Sequence, residues 1–119
     1  MERTMVGKSS ALKSYLNLVA ALPRLDEAAQ TVLELGLLRG DAAASLALTE
    51  SFLPYVVSEA SAQRGRGLRF EALIAAGNRG LAEALRLRNG VLRLRVRREV
   101  GRSLREAFQR IPPRRSQAA

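Results

Sequence analysis

Five stretches of the sequence repeat their apolar residues three or four positions apart, and each is cut off by residues that a helix does not tolerate. Ala11, Leu12, Tyr15, Leu16 and Val19 form the first stripe, stopped by Pro23. Asp26, a good N-cap followed by Glu27 in the first turn, opens a second stripe of Val32, Leu33, Leu35 and Leu37 that ends at Gly40. Asp41 caps a third, with Leu46, Leu48, Leu53, Val56 and Val57 reaching to about Ala62; Pro54 inside it removes one internal hydrogen bond and is expected to bend it. Arg64-Gly65-Arg66-Gly67 reads as a loop. A fourth helix from about Phe70 carries Leu73, Ile74, Leu81, Ala84 and Leu85. A fifth carries Val96, Val100, Leu104, Ala107 and Ile111 on one side, with Arg98, Arg102 and Arg105 nearly opposite, and Pro112-Pro113 ends it. The expectation is a compact all-α domain of five helices over residues 10–111, between a flexible N-terminus at 1–9 and a disordered basic tail at 112–119.

One stretch resists this reading. In LRLRNGVLRLRVRR, Leu85 to Arg98, leucine and valine alternate with arginine around Asn89-Gly90, a strong short-range hairpin signal. Helical neighbours on both sides argue for a corner between two helices instead. A basic β-ribbon and a helical corner would present different surfaces to a partner.

Composition narrows the chemistry. At 119 residues the chain is long enough for one core. Cysteine and histidine are both absent, which excludes disulfides, thiolate or imidazole zinc sites and histidine-based catalysis. A reducing, cytoplasmic setting fits that composition. The longest apolar run, Leu18 to Leu22, is far short of a membrane span. Gly7-Lys8-Ser9 resembles the end of a phosphate-binding loop, but the glycine such a loop needs upstream is replaced by Glu2. The carboxylates are scattered without polar support, so neither an enzyme nor a cofactor is expected.

Charge is divided unevenly. Residues 1–60 carry 5 basic and 7 acidic side chains, a net of −2, whereas residues 61–119 carry 15 arginines against 4 glutamates, a net of +11. Such a field favours polyanions, nucleic acid first and acidic protein surfaces second. Arginine's planar fork suits phosphate.

Three segments then resemble a known family. Tyr55-Val56-Val57-Ser58-Glu59-Ala60, Arg64-Gly65-Arg66-Gly67-Leu68 and Leu73-Ile74-Ala75-Ala76-Gly77-Asn78-Arg79-Gly80-Leu81 are similar to the second conserved region of bacterial sigma factors. Upstream, Tyr15-Leu16, Pro23, Leu25, and Gly40-Asp41 followed by Ala44, Leu48 and Leu53 fit the preceding block, region 1.2, without a gap. The correspondence runs from Tyr15 to about Leu87.

The resemblance implies a sigma region 2-like fold that docks on core RNA polymerase, at the coiled coil of the β′ subunit, through the fourth helix. Leu73, Ile74, Gly77, Asn78, Arg79 and Leu81 are the residues expected to carry that contact. The family's Asp, Gln and Glu fall at Ala72, Ala75 and Ala76 here, so docking weaker than that of a full sigma factor is expected. It also selects the helical corner: fourth helix to Leu87 or Arg88, turn at Asn89-Gly90, extended residues Val91 to Leu94, and helix from about Arg95. On that last helix the family captures flipped promoter bases with Thr, Tyr and paired Trp; here Val96, Arg97, Arg98, Glu99 and Val100 stand instead, and the chain has no tryptophan.

Arg93, Arg95, Arg97, Arg98, Arg102 and Arg105 are accordingly expected to bind promoter DNA or other nucleic acid through phosphates. No segment matches the family's later regions that contact the −35 element, and a second polypeptide is expected to supply them. The alternative is a degenerate sigma fold that regulates transcription by protein contacts alone.

Overall fold

Helix starts follow from where the chain supplies a partner for unpaired amides. The computed structural model describes residues 2–110, with side chains from Ser10 onward, and contains α1 (Glu2–Ala20), α2 (Glu27–Leu38), α3 (Ala42–Ala62), α4 (Phe70–Arg86) and α5 (Leu92–Gln109). The Asp26 carboxylate accepts from the Ala29 amide at 2.8 Å and that of Asp41 from the Ala43 amide at 2.9 Å, capping α2 and α3 as their sequence position suggests. Gly40, at φ +78°, makes the sharp turn between them. Helix α3 continues through Pro54. No strand occurs among the described residues, so the domain is all-helical. Ile111 and the tail expected at 112–119 lie outside the described residues.

Helices α4 and α5 form an antiparallel hairpin whose register is fixed turn by turn. Arg95 Nε donates to the Ala84 carbonyl at 3.1 Å, Gly80 lies against the Glu99 carbonyl, and Ser103 Oγ donates to the Ala76 carbonyl at 2.6 Å. Each step moves one helical turn along both helices. Small residues at Ala76, Gly80 and Ala84 allow the approach. A β-carbon at Gly80 would sit 2.4 Å from the Glu99 oxygen and 2.7 Å from Val100 Cα, so only glycine fits without moving backbone.

Helix α3 closes the other side, with Val56 Cγ1 filling the space where Gly77 lacks a side chain, 2.7 Å from an added β-carbon. Leu48, Val56, Leu73, Leu81, Val96 and Val100 are the largest side chains fully withdrawn from solvent. Burying each contributes about 1.5–3 kcal/mol.

The N-terminal elements pack less tightly. Of α1, Val19 is buried while Leu12, Tyr15 and Leu16 only partly cover the core. Clefts of 420, 680 and 460 Å³ flank this helix. On α2, Leu37 is buried and Leu33 half-buried, but Val32 and Leu35, expected in the core, are 66% and 49% exposed. Leu46 of α3 is likewise 61% exposed. Helix α2 packs against α3 alone in any extent, so one narrow stripe suffices and the rest of its apolar residues stay outside.

The ambiguous stretch is a helical corner, with one correction. Helix α4 ends at Arg86, a linker of Leu87 to Val91 turns at Gly90 with φ +78°, and α5 begins at Leu92 rather than Arg95. Of the residues expected to be extended, Val91 is so, whereas Leu92 to Leu94 form the first turn of the helix. Leu92 and Val96, four apart, are both buried, whereas Leu94, which produced the apparent alternation, is 60% exposed.

Candidate protein and nucleic-acid interface

The arginines of α5 divide into three groups by their place on the helix. Arg98, Arg102 and Arg105, spaced four and three apart, share the exposed outer face. Arg93 and Arg97 are exposed on a second flank. There Arg97 neighbours Tyr55 of α3, whose hydroxyl is held above the ordinary tyrosine value by burial and then by the Glu59 charge, against the opposing pull of Arg97.

Arg95 departs from the expected nucleic-acid face. It is 5% exposed, and besides the Ala84 carbonyl its Nη1 donates to the carbonyls of Asn89 and Gly90, each at 2.8 Å. Burial draws this guanidinium below the usual arginine value. Three positions after buried Leu92 and four before buried Glu99, it turns inward, where it satisfies carbonyls at the end of α4 and in the linker. It fastens the corner.

Glu99 gained no role from the sequence and proves central to the face. Its buried carboxylate accepts from Arg98 Nε at 3.0 Å and lies 3.5 Å from Arg102 Nη2. Two of the three outer arginines are thus oriented by one carboxylate, which also offsets part of their charge. The groove alongside, of 300 Å³, is lined by Arg79, Glu83, Glu99, Arg102, Glu106 and Arg110, three cations and three anions. Glu83 itself pairs with Arg86 at 2.6 Å, and this contact holds its carboxyl below the usual range. A buried acidic residue between two arginines one and three positions away was the available signal, at Arg98-Glu99 and Arg102.

Of the α4 residues expected to meet polymerase, Leu73, Ile74, Gly77 and Leu81 face the core and act as its frame. Arg79 is exposed. Asn78 is half-buried beside α1: its Nδ2 donates to the Tyr15 hydroxyl at 3.4 Å, and its Oδ1 is buried without a partner. Ala72 and Ala75 lie on the surface, whereas Ala76 is fully buried beneath α5, where a longer acidic side chain would have no space or partner. One of the three departures from the family pattern is therefore required by packing.

Neither family models, curated proteins nor solved structures match this chain. Among the described residues no cluster of carboxylates is arranged to hold a metal ion, and no helix is long and apolar enough to cross a membrane.

Proposed function

We propose that this chain is a sigma-like transcription protein that binds core RNA polymerase at the β′ coiled coil and grips nucleic-acid phosphates with the outer face of α5. The sequence pattern of α4 carries the reading. Gly77 and Gly80, which align with family glycines, are also the positions where α3 and α5 leave no room for a β-carbon. The glycine framework thus has a physical necessity consistent with the family pattern, and beside it the exposed Ala75 and Arg79 supply the edge left for a partner. Because the paired tryptophans of the family are absent, a second polypeptide supplies the promoter-reading part.

The test is direct association of the purified protein with native core polymerase at micromolar concentration in low salt. Binding that falls with Arg79→Glu is expected; no association would end the proposal. Glu99's hold on Arg98 and Arg102, together with exposed Val32, Leu35 and Leu38, favours the second reading, a protein-interaction module that does not bind DNA. Salt-dependent binding of duplex DNA without polymerase would eliminate that reading.

A further inference from the structure

The loop from Gln63 to Arg69 joins α3 to α4, and its two central arginines are not disposed as ordinary solvated surface residues. Arg64 lies over the ring of Phe70, 4.5 Å from its centroid, and Arg66 over that of Phe108 at 4.9 Å. Both rings are anchored, for Phe70 is the first residue of α4, Phe108 is in the last turn of α5, and each packs against the core. The two guanidinium groups are thus seated side by side at the open end of one helical hairpin, one on a ring from each helix. The Gln63 side chain also accepts from Arg66.

Between them Gly65 has φ +85° and Gly67 follows at φ +111°, a backbone that side-chain-bearing residues rarely adopt. Nothing lies near Gly65, so conformation rather than space requires glycine there. Among the described residues no carboxylate pairs with either guanidinium, and both arginines are exposed.

We propose that this loop is a stacking platform for the bases of single-stranded nucleic acid, in which Arg64 and Arg66, each backed by a phenylalanine, offer their second face to a base. A mobile arginine loses rotamer freedom when it stacks; one already held against a ring has lost most of it beforehand. The exposed face is planar, cationic and indifferent to base identity, which suits any base whose own face is open. Duplex bases have both faces covered by their neighbours, so the platform discriminates for unpaired strands. Arg105, one turn before Phe108 on α5, is placed to meet the backbone of a strand held there. The platform supplies a planar stacking surface in a chain without tryptophan.

This inference depends on the nucleic-acid half of the proposed function and is tested without polymerase. Fluorescence anisotropy of the full chain would be measured with a 20-residue deoxythymidine strand, a 20-residue uridine strand and a 20-base-pair duplex, at one salt concentration, lengths chosen as about one or two site sizes. Arg64→Lys with Arg66→Lys keeps the charge and removes the planes. The expected result is a loss of about fivefold or more on the single strands, the lower end of what stacking one base contributes, with duplex affinity changed less than about twofold. A larger loss on one sugar than the other supports the platform and identifies its strand as DNA or RNA.

Equal loss on duplex and single strands would reduce the loop to a phosphate contact and overturn the proposal. So would unchanged binding. If the parent protein binds no nucleic acid at all, the nucleic-acid half of the proposed function falls with it. If the parent binds and the double variant is unaltered, the platform alone falls.

Discussion

The α4–α5 hairpin and helix α1 show two ways of attaching a helix to the same core. The hairpin leaves no slack: its backbones meet at Gly80, and three side-chain-to-carbonyl or backbone contacts fix its register. Among its described residues, helix α1 buries only Val19, is flanked by clefts of several hundred Å³, and meets α4 in a long hydrogen bond from Asn78 to Tyr15. Stability is therefore expected to be unevenly distributed, with local opening at α1 costing far less than opening at α4 or α5.

Leucine truncations in the two regions give the largest contrast. Leu73→Ala is expected to destabilise by about 2–5 kcal/mol in urea unfolding, because its surroundings cannot collapse, and Leu12→Ala by less than about 1 kcal/mol. Equal costs would break the comparison. Next, Arg95→Met removes the donor to three carbonyls while keeping most of the side-chain stem. A loss of about 2–3 kcal/mol is expected, with DNA affinity unchanged; a fall in affinity at constant stability would return Arg95 to the binding face.

Glycines then separate tight from loose ground within α4 and α5 themselves. Gly80→Ala is expected to cost about 1–3 kcal/mol despite alanine's higher helix propensity. At Gly101 a β-carbon meets only the flexible tip of Arg105 at 3.4 Å, and Gly101→Ala should stabilise by up to about 1 kcal/mol. Thermal unfolding of the pair checks both signs.

The smallest effect concerns the arginine face. Arg105→Gln should reduce the slope of log K against log[salt] on duplex DNA by about 0.9, whereas Arg98→Gln should change it less, because Glu99 already occupies that guanidinium. Identical changes would mean that Glu99 releases Arg98 on binding.

The helices were legible wherever a stripe of apolar residues was long and was covered by more than one neighbour. Every residue assigned to the stripe of α4 is buried, since α3 and α5 cover it from two sides. On α2 the pattern overstated burial because propensity and hydrophobicity do not report how many neighbours a helix has; Val32 and Leu35 are apolar without a wall to meet. The start of α5 was misplaced by one turn because five residues alternating leucine and arginine fit a period of two almost as well as one of 3.6.

At the candidate interface, sequence identified the arginines that lie outward but not the one that lies inward. Arg95 alternates with apolar residues as Arg93 and Arg97 do, and only its helical phase with Leu92 and Glu99 and the carbonyls of the linker before it distinguish it. The stacked pair at Arg64 and Arg66 was hidden for the same reason: Phe108 is more than forty positions away.

The order of packing along the chain has a consequence for its biosynthesis. A ribosome delivers the loosely held elements first and the tight hairpin last. Until α4 emerges, Val56 of α3 lacks the Gly77 backbone it packs against, which is still inside the exit tunnel. The nascent chain therefore carries exposed apolar surface on α3 until α4 follows it, and the core closes only when the last turn of α5 is released.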